Sequence, residues 1–216
     1  MLFQDRAHAG QLLAKKLLAY KAKKATCVLA LPRGGVPVGF EIAQTLNLPL
    51  DAMLVRKLGL PGHEELAMGA VAYGGMPVWN DDVLGALRIS QDVRSHILER
   101  ERAELERRNQ KYRHNRPLLD LQGQTVILVD DGCATGIDMK AAVDSALAQH
   151  AAHIVVAVPV MSDTSYALLS TCAHEIVYLD MPEIFFAVGA FYSNFAQTQD
   201  EEVIHLLDIS RVSRDP

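Results

Sequence analysis

Asp130 and Asp131 stand side by side at the end of the apolar run Val126-Ile-Leu-Val129, and the short loop Gly132-Cys-Ala-Thr-Gly136 follows at once. Four apolar residues in a row read as a strand buried on both faces of a parallel sheet. In an open α/β sheet the ligand sits just beyond the carboxyl end of such a strand. The small residues Gly132, Cys133, Ala134, Thr135 and Gly136 let backbone N–H groups close around an anion. A helix beginning near Ile137 adds its positive end. Two acids beside a phosphate cradle are consistent only with a ligand that carries both phosphate and hydroxyls. A ribose 5-phosphate meets that condition, with Thr135 and the loop amides on the phosphate and Asp130 and Asp131 accepting from the 2′- and 3′-hydroxyls.

Two further segments carry matching chemistry. Pro32-Arg33-Gly34-Gly35 ends an earlier apolar run on the same expected rim, where two glycines free the backbone amides and Arg33 supplies a planar cationic fork. Arg56-Lys57 ends a second run and precedes a polar stretch with Pro61, Gly62, His63, Glu64 and Glu65. A P-loop is excluded because no Lys-Ser or Lys-Thr follows a Gly-x4-Gly, and no Gly-x-Gly-x-x-Gly follows a strand.

The segment from Val126 to Gly136 resembles the signature of the type I phosphoribosyltransferases, which hold the ribose 5-phosphate of phosphoribosyl pyrophosphate (PRPP) there. Where that family usually has an aliphatic residue, this chain has Gly132. The resemblance implies that Arg33, Gly34 and Gly35 form the pyrophosphate loop and that Lys57 approaches pyrophosphate from the opposite side. It implies a mobile loop in which His63 and Glu64 close over the reacting centre as catalytic residues, with Lys57, Asp130 and Asp131. It also implies Mg²⁺ held mainly by PRPP and water near Asp130 and Asp131, with no direct protein ligand. The stretch Arg56 to Val71 and the closing Pro182 to Phe195 look like an uncharacterised bacterial group of the same family. The expected activity is transfer of ribose 5-phosphate to a nitrogen acceptor with release of pyrophosphate. A PRPP-sensing regulator without turnover, or a hydrolase or phosphorylase of ribose 5-phosphate esters, are the alternatives. Phe185, Phe186 and Tyr192 are the acceptor candidates, since an aromatic ring stacks on a planar base.

Positioning these groups takes an alternating β/α chain, hence a mainly parallel, twisted sheet flanked by helices. Strands are expected at Cys27–Leu31, Leu50–Val55, Val126–Val129, Ile154–Val158 and Glu175–Leu179. Helices are expected at Asp5–Tyr20, Val36–Leu46, Ser90–His114, Ile137–His150, Asp163–Thr171 and Asp200–Leu207. Residues 56–68 read as a loop, and Gly74-Gly75 as the turn of a hairpin beside the sheet. One domain spans residues 1–216, with a core at about 25–180, a small hood from 1–24 and 181–216, and a helical insertion at about 90–116.

The 216 residues are 50% apolar and 22% charged, ordinary for a globular protein. A net charge of −5 gives no electrostatic case for nucleic acid or an anionic membrane. The opening Met1-Leu-Phe-Gln-Asp-Arg6 lacks the order of a signal peptide, no run approaches a membrane span, and Cys27, Cys133 and Cys172 show no close pairing. A reducing cytoplasm is expected. Cys133, inside the phosphate loop, is expected to be shielded from alkylation by ligand. Arg107, Arg108, Lys111, Arg113 and Arg116 suit a helix C-terminus and read as a solvated face or a homodimer contact rather than an RNA surface.

Overall fold

The computed structural model describes residues 2–60, 62–87, 89–114 and 117–212, with backbone alone at 63–66, 81–82 and 212. Five parallel strands form the main sheet: β1 (Thr26–Ala30), β2 (Leu50–Ala52), β6 (Thr125–Val129), β7 (His153–Val160) and β8 (Glu175–Asp180). Their order is β2-β1-β6-β7-β8. β1 and β6 pair in register from Thr26↔Thr125 to Ala30↔Val129, so both strands end at the same height. Every residue of β1 is buried, as are Val126 to Val129. Continuous apolar runs fit because helices cover both faces. One face packs against α1 (Arg6–Lys16), α2 (Gly35–Leu46) and α7 (Asp200–Val212), the other against α5 (Ile137–Ala148), while α6 (Asp163–Leu169) packs on α5.

Local signals start these helices where expected. Asp5 caps α1 by accepting from the His8 amide at 2.8 Å. Ser90 caps the 23-residue α4 (Gln91–Arg113) by accepting from the Val93 amide. A seven-residue helix, α3 (Asp81–Leu87), precedes it, capped by Asn80, whose Oδ1 accepts from the Val83 amide at 3.2 Å.

Residues 56–68 are not a loop. Residues 56–60 and 63–68 belong to a hairpin of β3 (Val55–Leu60) and β4 (His63–Ala72), to which β5 (Val78–Trp79) adds as a third antiparallel strand, while Pro61 lies outside the described residues. Gly62 reads as a chain breaker in sequence, yet at φ +76° it serves the turn of the hairpin. The alternation is carried by Leu58, Met68, Ala70 and Ala72, all buried. This antiparallel sheet is the hood. The terminal segments go elsewhere: α1 lies on α2, and α7 packs on α2, α4 and β2. Among the described residues no helix is long and apolar enough to cross a membrane.

Arg113, expected at a solvated helix end, is 2% exposed. Its NH2 lies 2.7 Å from Asp51 Oδ2, and Arg211 NH2 lies 3.1 Å from Asp51 Oδ1. The pair ties α4 and α7 to β2. Burial pushes the Asp51 carboxyl up even beside two arginines, and pushes the Arg113 guanidinium down. Arg113→Leu would leave the buried Asp51 carboxylate with Arg211 as its one arginine partner, a loss of up to about 3 kcal/mol, the low end of the cost of breaking a buried pair outright. Urea unfolding should show that loss; a midpoint equal to wild type would refute the structural role.

Candidate functional site

Because β1 and β6 end together, the turn after β1 and the loop after β6 meet face to face. The contact is close. A Cβ on Gly34 would lie 2.0 Å from Asp131 Oδ2, and one on Gly35 would lie 2.7 Å from the Val129 carbonyl and 2.9 Å from Asp130 Cα. Only glycine lets the two segments approach this far. The Pro32–Arg33 peptide is cis.

The acid pair is asymmetric. Asp130 lines a cleft of about 360 Å³ at the sheet's carboxyl end, and its Oδ1 accepts from the Asp131 amide at 2.8 Å. Asp131 turns away toward the N-terminus, where Arg6 Nε donates to its Oδ2 at 2.7 Å. Arg6 also donates to the Ala196 carbonyl and lies 4.0 Å above the Phe195 ring. Tyr192 donates to the Asp131 carbonyl at 2.5 Å. Burial is the first cause raising both acids; beyond it, the Asp131 charge holds Asp130 well above the usual carboxylate range, while Arg6 tempers Asp131.

The loop 132–136 is built on β7 and α6. Cys133 donates its amide to the Val160 carbonyl at 2.9 Å, and its own carbonyl accepts from the Ser162 amide and the Ser165 hydroxyl. The Cys133 amide is therefore turned inward, away from an anion. Ala134 and Thr135 are exposed, and among the described residues their amides donate to no protein group. Gly136 sits at φ +78°, a conformation costly for any other residue, and opens α5 so that its N-terminal end faces the loop. Gly132 has no room for the aliphatic side chain of the resembling family: a Cβ there would meet Val188 Cγ1 at 2.5 Å. Val188, from the tail, fills that volume instead. The Cys133 thiol is 5% exposed and burial pushes it up to about 11. A thiol so placed reacts slowly with or without ligand, so it makes a poor reporter of the loop.

Lys57 lies in β3, half-buried, facing Ala70 of β4. It lines both the cleft and a larger groove of about 810 Å³ between β4, β5 and α5 that includes Trp79. Arg33 is half-exposed, with NH1 3.9 Å from Asp200 Oδ1; Asp200 also pairs with Lys111 and Tyr112 of α4. The backbone of His63 and Glu64 belongs to β4, and their side chains lie outside the described residues, as does that of Glu65. Phe186 is 88% exposed. Phe185 packs on Phe191 with centroids 5.4 Å apart, and Tyr192 is buried between Phe3 and Phe195 at 5.2 and 5.0 Å. Of the three aromatic candidates, Phe186 has an open ring face.

Sequence reasoning missed Arg6, Arg100, Glu101 and Arg108. The last three line the cleft from α4. The basic stretch is no continuous face: Arg107 and Arg108 pair with Glu104, Lys111 with Asp200 and Arg113 with Asp51, while Arg116 lies outside the described residues.

A family model for the phosphoribosyl transferase domain matches residues 4–193. Two Mycobacterium tuberculosis proteins, from strains CDC 1551 and H37Rv and each named "Putative phosphoribosyl transferase", are 45% identical over 214 residues. The alignment takes in 99% of this chain and 48% of theirs, so the chain spans about half the length of the curated relatives it matches. The crystal structure of TT1426 from Thermus thermophilus is 42% identical, with a TM-score of 0.87 over 96% of this chain and 98% of that one. The AQ2163 protein from Aquifex aeolicus, 12% identical with a TM-score of 0.51 over 83% and 74% of the two chains, shares the fold alone. The fold is that of the type I phosphoribosyltransferases, and the chain belongs to the phosphoribosyl transferase domain family.

Proposed function

We propose that this chain transfers ribose 5-phosphate from Mg²⁺-PRPP to a nitrogen acceptor, with inversion at C1 and release of pyrophosphate. The observation that carries the reading is the meeting of two glycine-built turns at one rim, where Asp130 lines a cleft that Arg56, Lys57, Arg100 and Arg108 also border. The exposed amides of Ala134 and Thr135 hold the 5-phosphate against the N-terminal end of α5. Asp130, and Asp131 through the carboxylate oxygen not held by Arg6, accept from the ribose hydroxyls. Arg33, the amides of Gly34 and Gly35, and Lys57 receive the pyrophosphate as the bond to C1 lengthens, where preformed charge is most effective.

Among the described residues no group of three or more His, Cys, Asp or Glu could hold a metal unaided. Asp130 and Asp138 at the cleft fit Mg²⁺ that arrives with the donor and keeps its waters. When bound, Mg²⁺ offsets the charge gathering on pyrophosphate. On the acceptor side, the open face of Phe186 suits a planar nitrogen heterocycle.

The test is calorimetric titration of Mg²⁺-PRPP into wild type and Asp131→Asn. Wild type should bind at micromolar concentration and the variant at least about tenfold more weakly, or about 1.4 kcal/mol. Acceptors are then screened by pyrophosphate release. Failure of wild type to bind PRPP would sink the reading.

A further inference from the structure

The mechanism above leaves unused the wall of the cleft that α4 builds. α4 presents Ile97, Leu105, Asn109 and Tyr112 inward, and among them the acid Glu101 is only 3% exposed. A carboxylate buried on such a face is costly unless it is paired. Its partners stand at the cleft: Arg56 Nε lies 2.7 Å from Oε2 and Arg100 NH2 lies 2.8 Å from Oε1. One turn beyond Glu104, Arg108 turns its own fork to the same cavity, its Nε 2.8 Å from Glu104 Oε1. Four cations, Arg56, Lys57, Arg100 and Arg108, thus border a cleft that Asp130 also lines. The lining takes in Asp130 and Asp138 but none of the phosphate loop between them.

We propose that α4 supplies the outer half of a pyrophosphate site, in which Arg100 and Arg108 bind the leaving pyrophosphate across the cleft from Lys57. The inference rests on the donor reading and adds residues to it. A guanidinium carries five donors, so a pair made through Nε leaves terminal N–H groups for phosphate oxygens. Arg56 and Arg108 pair through Nε; Arg100 uses Nε and one terminal nitrogen. The planar fork matches phosphate bidentately, which lysine does not. Glu101 and Glu104 act as positioning residues that hold these forks at the cleft before ligand arrives.

The experiment compares two probes, Mg²⁺ with inorganic pyrophosphate and ribose 5-phosphate alone, by calorimetry. Wild type, Arg100→Ala, Arg108→Ala and Arg108→Lys are titrated beside the control Arg107→Ala, whose side chain is 62% exposed and does not line the cleft. Arg100→Ala and Arg108→Ala should each weaken pyrophosphate binding at least about fivefold and change ribose 5-phosphate binding less than about twofold. Arg108→Lys should recover only part of the loss, and Arg107→Ala should match wild type. Pyrophosphate binding unchanged in both alanine variants would overturn the proposal and leave the donor reading standing. Wild type that binds neither probe would overturn both.

Discussion

Gly35→Ala should lower stability by about 2–3 kcal/mol and abolish measurable donor binding, because the added methyl has nowhere to go. Its Cβ would stand 2.7 Å from the Val129 carbonyl and 2.9 Å from Asp130 Cα, both backbone atoms at the end of a strand buried from Val126 to Val129. A flexible side chain can swing aside; a registered strand cannot. Relief comes only by separating the two turns, which pulls the amides of Gly34 and Gly35 away from Asp130. For a chain of this length the loss corresponds to a fall in Tm of about 5–10 °C. Gly85→Ala is the internal control. Gly85 lies exposed in α3, and a methyl added there would meet nothing within 4 Å, so alanine should be neutral or stabilising by a few tenths to about 1 kcal/mol. If thermal unfolding and PRPP titration find the two variants alike, the close approach of the turns is not what builds the site.

How far such a contact can be read from sequence depends on the range of the interactions. β1 and β6 were legible because a strand covered on both faces needs an unbroken apolar run, and Cys27–Leu31 and Val126–Val129 provide one. The loops at their ends were legible because closeness to an anion demands small residues. β3 and β4 were not, since Gly59 and Gly62 make the stretch read as a loop and the pairing of the two strands is a tertiary matter. Arg6 reaches Asp131 across 125 residues, and Arg113 reaches Asp51 across the whole hood. No local pattern marks either pair, and a helix-end arginine reads as solvated until a partner folds over it. Arg108 shows the same limit from the other side. The basic run reads as a solvated face, yet the cleft that Arg108 borders is lined by strands far away in the chain.

Asp130→Asn should make the protein more stable at neutral pH while weakening donor binding at least about tenfold. Burial, then the neighbouring Asp131 charge, holds the folded-state carboxyl of Asp130 well above its unfolded value of about 3.9. The folded protein therefore binds that proton more tightly than the unfolded chain does. The stability this confers is fully present below the unfolded value and is lost as pH rises through the raised folded one. Above the unfolded value, that proton preference costs the folded state stability, and a neutral amide removes the cost. Asparagine also keeps Oδ1, so the 2.8 Å bond from the Asp131 amide survives and the loop keeps its shape. Thermal unfolding across pH should show the variant above wild type at about pH 7.5, with the difference closing as pH falls below about 4. Titration of Mg²⁺-PRPP at the same neutral pH should show the opposite order, since the amide accepts less strongly from ribose hydroxyls and no longer offsets Mg²⁺. A variant less stable than wild type at neutral pH would make Asp130 a structural acid. Opposite signs in the two measurements are what an acid retained for its ligand, at the expense of the fold, must produce.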